Sequence, residues 1–313
     1  MRVLVLGGTS LTGPFVVRRL HRLGHHVTVF HRGQHEAEIP DGVHHLHGDL
    51  AHPPTGLRDS APDVVVHMWA LTEAHAAAFL RLFRGAAGRA VVISSCDVYR
   101  AYGRLKRLEP GPPDPLPLSE DAPLRESRYP YRGTENLPID CAGDYDKILV
   151  ESTLRAQSAL PVTILRFPAV YGRNDNHRFG PWLDRMRNET EIRIQDDYAQ
   201  WRWTHGYAEN VAEAVVLAVT SEAAAGRTYN VGESDSPSWA ERLQEWGHMA
   251  GWDGRVVPVP AADLPANLRV PFDFSHHLVT DTGRIRDHLG YREVVSRQYG
   301  IAQTIAWEND SPE

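Results

Sequence analysis

Apolar residues in the first half of the chain gather in short solid runs: RVLVL (Arg2 to Leu6), VTVF (Val27 to Phe30), VVVH (Val64 to His67) and AVVIS (Ala90 to Ser94). A strand that is apolar at nearly every position is buried on both faces, as in a parallel sheet covered by helices. Between the runs the spacing turns helical. Leu11 to Leu23 carries its apolar residues on one face and closes at Gly24; an alanine-rich helix is expected from about Thr72 to Arg84. A third helix is expected from Asp144 to about Ser158, leading into a strand at Val162 to Arg166. This alternation predicts an α/β fold with a doubly wound parallel sheet.

The regularity stops at Arg104. From there to Gly143 the chain contains EPGPPDPLPLSEDAP, where proline removes amide donors and fixes φ, so a loop is expected. A loop of that length inside a compact domain is more often functional than idle, here as a lid over a site. After Gly172 come short strands, two or three helices and a loop-rich tail. The expected division is therefore a nucleotide-binding domain over 1–171, its sheet completed by a strand near 228–232, and a mostly substrate-binding lobe over 172–313.

The first strand runs into LVLGGTSLTGPF, which opens a helix. Gly7, Ser10 and Gly13 have the spacing of a G-x-x-G-x-x-G turn with serine at the middle position. Such a turn needs glycine for tightness and for close backbone approach to a pyrophosphate, so Gly7, Thr9, Ser10, Leu11 and Gly13 are candidate cofactor contacts. The second strand ends Phe30, His31, Arg32, Gly33, without the carboxylate that binds a ribose 2′-hydroxyl. The guanidinium of Arg32 suits a 2′-phosphate, so NADP is expected in preference to NAD. HGDL (His47 to Leu50) places Asp49 and Leu50 beneath an adenine, although a turn aspartate reads the same way.

Composition adds exclusions. A formal net charge of -7 argues against general affinity for nucleic-acid backbone. Two cysteines, Cys96 and Cys141, build no disulfide scaffold, and RVLVLGG is too short for a signal peptide core, so a cytoplasmic protein is expected. No apolar run has the length to cross a bilayer. His21, His25, His26, His31, His35, His44, His45, His47 and His52 crowd one region. They are spread over a helix end, a strand and loops without cysteine partners or a repeated ligand spacing, and no metal is expected.

The glycine turn, HGDL, ISSCDVY, DKILVE, LRFPAVYG, THGYAENVAEAV and TYNVG occur in one order along nearly the whole chain. In this the chain resembles the extended short-chain dehydrogenase/reductase superfamily, the NAD(P)-dependent epimerase/dehydratase group with its Rossmann-type domain. Within it, the GGTxxxG turn resembles an atypical branch that includes chloroplast stem-loop-binding proteins. The resemblance implies a hydride-transfer enzyme acting at a hydroxyl- or carbonyl-bearing carbon of a polar small molecule, a nucleotide sugar among them. It implies Ser95 as the hydroxyl that bonds the reacting oxygen and Lys147 as the lysine that binds the nicotinamide ribose and lowers a tyrosine pKa. It also puts Cys96, Arg166, Pro168 and Tyr171 where substrate meets cofactor, and Arg202 and His205 in the substrate lobe. Members often dimerise, and Ala74, Ala76, Ala77 and Ala78 offer a small-residue surface for that.

The chain departs from the family at the acid-base residue. A tyrosine four positions before the lysine shares its helix face, and that position is Gly143. Tyr145 is two before Lys147, on the far side of any helix that includes both. Replacements from the residues are Tyr129 or Tyr131 from the lid, Asp144, or Asp97 just after Ser95, where family dehydratases carry an acid. A cofactor-binding protein without turnover, acting as sensor, scaffold or RNA binder, is the alternative that Gly143 leaves open, and a reductase or lyase of specialised metabolism acting on a substrate other than a sugar is a variant of the enzyme reading.

Overall fold

The computed structural model describes residues 1–34, 36–54, 56–59, 61–134, 141–175 and 178–310. Seven strands form one parallel sheet: β1 (Arg2–Leu6), β2 (His26–His31), β3 (His44–His47), β4 (Val64–His67), β5 (Arg89–Ser95), β6 (Val162–Phe167) and β10 (Thr228–Asn230). Their order is β10-β6-β5-β4-β1-β2-β3, a doubly wound Rossmann-type arrangement. The solid apolar runs account for the central strands, whose side chains are buried on both faces.

On one face α1 (Gly13–Arg22) and α8 (Ala208–Thr220) pack over Val3, Val5, Val29, Val64 and Val66. On the other, α3 (Glu73–Phe83) and α5 (Lys147–Arg155) cover Leu4, Leu6, Val65 and Val92. Ala76 of α3 is buried within this core and Ala78 is buried beside it on the helix, while Ala74 is exposed. A short α2 spans Gly56–Asp59, and α4 (Arg100–Leu105) follows β5.

The second lobe holds two two-stranded sheets. One pairs β7 (Ala169–Tyr171) with β9 (His205–Tyr207), the other β8 (Glu191–Gln195) with β11 (Arg255–Val259). Around them lie α6 (Gly180–Asn188), α7 (Asp196–Gln200), α9 (Trp239–Met249) and α11 (Arg297–Asp310), while α10 (Gly283–Leu289) packs on α8 and β10 at the main sheet. Its core is aromatic, with Phe179, Trp239 and Trp246 buried together. The chain returns from this lobe to the main sheet through α8 and β10, so the lobe is not a single segment after residue 172.

The proline-rich stretch is a loop, as its composition predicts, and it is anchored. Arg125 N donates to Val98 O (2.8 Å) and Leu118 N to Val279 O (2.7 Å). The fully buried Arg125 guanidinium reaches Ser127 O and the carboxylate of Asp146. Among the described residues, no helix is long and apolar enough to cross a membrane.

Candidate active site

The carboxyl ends of β1, β4 and β5 meet at one edge of the sheet, where a doubly wound fold binds its ligand. Gly7 has φ +80° and its N–H bonds Phe30 O, closing β1 against β2. A Cβ on Gly13 would lie 2.5 Å from the carbonyl carbon of Gly8, so only glycine lets α1 start this close to the strand. Gly13 N donates to Ser10 O (2.7 Å), and Leu11 between them has φ +36°. The first turn of α1 has no side-chain cap, so its amides and the positive end of its dipole suit a phosphate. Thr9 and Ser10 belong to the same turn, which packs on Trp69. This cradle fits a pyrophosphate-bearing cofactor. Arg32 and Gly33 turn at the end of β2; Arg32 and Asp49 both act electrostatically on His75 of α3, which gathers the three near one corner. Leu50 packs as a partly buried residue against the α3 core.

The helix at Lys147 begins later than its sequence pattern predicts. Residues Ala142–Asp144 form a separate 3₁₀ turn, Tyr145 is extended at φ -64°, ψ 120°, and Asp146 caps α5 by accepting from Ile148 N (2.9 Å). Tyr145 bridges to Thr72, and Asp146 N bonds Leu71 O. Tyr145 would face away from Lys147 on a shared helix, but it lies before the helix start, and the structure corrects that expectation. Gly143 sits on the exposed turn, and a Cβ there would meet nothing within 4 Å among the described residues. The four-before position has left the site, and the tyrosine two before the lysine has entered it.

Tyr145 Oη donates to Asp97 Oδ2 at 2.6 Å, and Ser95 is a further polar neighbour of the same phenol. Ser95 itself caps the turn after β5, accepting from Asp97 N (3.2 Å). Tyr131, from the loop, packs edge-on against Tyr145 with ring centroids 4.9 Å apart; its hydroxyl is 3.5 Å from Asp97 Oδ2 and accepts from Tyr102 Oη at 2.8 Å. Lys147 Nζ donates to Ala70 O (2.8 Å) and Ile93 O (2.9 Å), with its ammonium 5.9 Å from the Tyr145 ring. Ser95, Asp97, Tyr131 and Lys147 thus converge, with Tyr145 at their centre.

Burial sets the proton affinities here. It raises Asp97 above the ordinary carboxylate value, against the opposing pull of Arg125, Tyr145, Lys147 and Ser95. It also raises Tyr145 and Tyr131 well above an ordinary phenol, and the negative charge of Asp97 adds to both. Lys147 is pushed down to about 8 by burial, which Asp97 and Glu151 only partly counter. Asp97 Oδ1 is buried without a hydrogen-bond partner among the described residues, a cost that a folded protein tolerates most readily at a working site.

The other candidates fall elsewhere. Tyr129 stacks under Arg132, 3.9 Å from guanidinium to ring centroid, and Asp144 is exposed and pairs with that same arginine. Arg166 is buried in the sheet: its Nε and Nη2 hold Glu151 at 2.9 and 2.8 Å, and its Nη1 bonds Tyr99 Oη and Glu120 O. Pro168 packs on the Gly206 backbone. Cys96 is buried beside Trp203 Nε1 (3.4 Å), and burial lifts its thiol to about 12, outside the range of a nucleophile. Tyr171 Oη donates to Glu233, and Arg202 Nε donates to Ser236 O, both within the second lobe. His205 bonds Trp203 O through Nδ1 and is held well below its ordinary pKa by burial, with Nε2 unpartnered among the described residues.

Sequence spacing alone spreads the histidines over several elements without a common ligand set. The structure corrects that reading for three of them: His31, His45 and His47 converge with Glu36, while His35 lies outside the described residues.

The sequence pattern that defines the NAD dependent epimerase/dehydratase family matches residues 3–232. The chain is 29% identical to 2'-dehydrokanamycin reductase of Streptomyces kanamyceticus over 272 residues, 83% of this chain and 70% of that protein. In fold it is similar to UDP-glucose-4-epimerase from Stenotrophomonas maltophila, solved with bound NAD and formylated UDP-arabinopyranose (TM-score 0.76, 20% identity, 99% of this chain and 98% of that one). It is also similar to UDP-glucuronic acid 4-epimerase from Bacillus cereus, solved with UDP-glucuronic acid and NAD (TM-score 0.73, 17% identity, 99% of each chain).

Proposed function

This chain belongs to the NAD dependent epimerase/dehydratase family, and from that premise we propose that it is an NAD(P)-linked oxidoreductase of sugar carbons in which Tyr145 and Asp97 together handle the proton. The observation that carries the reading is the 2.6 Å bond from Tyr145 Oη to Asp97 Oδ2 beside Ser95 and Lys147. NAD(P), held at the glycine turn, supplies the hydride acceptor or donor.

The protein's own part is proton transfer. In oxidation, Tyr145 Oη takes the proton of the substrate hydroxyl while passing its own to Asp97 Oδ2. The carbinol C–H bond breaks, its electron pair leaves with the hydride, and C=O forms. In reduction the same transfers run backwards, Asp97 returning its proton and Tyr145 protonating the alkoxide. Burial suits both partners: a carboxylate with raised pKa accepts a proton more readily, and a phenol with raised pKa stays protonated until the transfer occurs. Ser95 bonds the reacting oxygen and orients it toward Tyr145. Lys147, charged below pH of about 8, stabilises negative charge on that oxygen and on the phenol.

Arg32 supports NADP over NAD. The likeness to 2'-dehydrokanamycin reductase, together with the polar-sugar ligands of the structural neighbours, supports a ring ketone or its alcohol as substrate. The test incubates the full chain with NADPH or NADH and a panel of keto-sugars, free, glycosidic and UDP-linked, and follows cofactor oxidation. Turnover of at least one sugar class supports the reading. Tight cofactor binding with no hydride transfer in either direction across the panel overturns it.

A further inference from the structure

The edge of the main sheet carries a cluster that plays no part in this proton transfer. His45 and His47 are two apart on β3 and so share one face. His31, at the end of β2, is the register partner of His47, which places all three rings on that face. Glu36 reaches back from the turn after β2. His31 is buried, His45 half-buried, and His47 and Glu36 exposed, so the group is half-set into the surface and open to solvent.

The distances are those of a coordination shell. His31 Nε2 is 3.2 Å from His45 Nδ1, and His47 Nε2 is 3.2 Å from Glu36 Oε1. Glu36 Oε2 is 3.9 Å from His31 Nε2 and 3.8 Å from His45 Nδ1. One ligand atom from each of the four residues lies within 4.8 Å of every other. Zinc bonds nitrogen at about 2.0–2.1 Å, so a tetrahedral shell has ligand-to-ligand edges of about 3.3 Å. Small rotations of the exposed His47 and Glu36 side chains bring the longer edges in. Three of the four ligands stand on hydrogen-bonded strands, so little ordering remains to be done when an ion arrives.

We propose that His31, Glu36, His45 and His47 form a binding site for a divalent transition metal, Zn²⁺ in the first instance. Three imidazoles and one carboxylate suit zinc, nickel or copper, whereas magnesium and calcium take shells of oxygen. Gly33 N donates to His31 Nδ1 at 3.3 Å. With a metal on Nε2 the ring proton moves to Nδ1, so this long bond gives way and the Gly33 amide registers the ion.

Zn²⁺ is titrated into the chelator-stripped full-length protein by calorimetry, and Co²⁺ absorption reports geometry. The site predicts one Zn²⁺ per chain and intense, tetrahedral-type Co²⁺ bands. His45→Ala and His47→Ala each weaken binding by more than the 10–100-fold that loss of a supporting outer-shell partner costs. His44→Ala, on the opposite face of the strand, leaves affinity unchanged. Glu36→Gln changes one exposed group and serves where a histidine variant fails to fold. Less than stoichiometric binding to the wild type overturns the proposal, as does equal affinity in His47→Ala and Glu36→Gln.

Discussion

Tyr145 and Asp97 show how one bend in the backbone reassigns a residue. The sequence supplies the types in the right neighbourhood, and Asp97, Ser95, Lys147 and Tyr131 are all legible from motif and position. Tyr145 is not, because the sequence pattern continues as a helix back to Asp144 whereas α5 begins at Lys147. The overlooked signal is Asp146 itself, a good N-cap residue immediately before KILVE. Asp97 then makes a testable cost. Its folded pKa lies above its ordinary 3.8, so its contribution to stability is complete below that value and lost as pH rises through the raised one. Asp97→Asn is therefore expected to stabilise the protein at pH 7 by about 1–2 kcal/mol, relieving a buried and half-unsatisfied charge. It is expected to make no difference in melts near pH 3, and to lower turnover roughly 100-fold. Lys147 adds a second profile. It loses its charge above pH of about 8, so kcat/KM bends downward there. Lys147→Arg, which stays protonated, moves the bend beyond the measured range.

At the scale of elements, the parallel strands are legible because their apolar runs are solid, whereas β3 hides in HHLH, where no apolar run marks an edge strand. The motif arginine shows the same limit. Arg166 reads as a substrate contact by its place near the end of β6, yet it fastens that strand to α5 through Glu151, which also accepts from Ser94 Oγ at 2.6 Å. The expected consequence is structural. Glu151→Ala leaves a buried guanidinium uncompensated and costs about 3–5 kcal/mol in urea unfolding. The fraction still folded binds cofactor as the wild type does. A loss below about 1 kcal/mol contradicts this role.

For the whole molecule, the doubly wound fold and its nucleotide edge follow from strand runs and glycine spacing, because those constraints are local. The return of the chain to the sheet at β10 is anticipated by the strand expected near 228–232, whereas the packing of α8 on α1 is not legible, since it depends on contacts between segments far apart in the chain. Cofactor choice belongs at this scale, where the turn at Arg32 meets the edge that receives the dinucleotide. Arg32→Ala is expected to weaken NADP binding about 10–100-fold, the worth of one charge-assisted contact, with NAD affinity changed little. Equal loss for both cofactors contradicts a 2′-phosphate contact. The relocated tyrosine is tested most directly by Tyr145→Phe in single-turnover hydride transfer, with cofactor affinity measured alongside. The account predicts a rate lower by about 10²–10⁴-fold with cofactor affinity unchanged. A rate within a few-fold of the wild type, at the same affinity, means that Tyr145 is not the proton-transferring group.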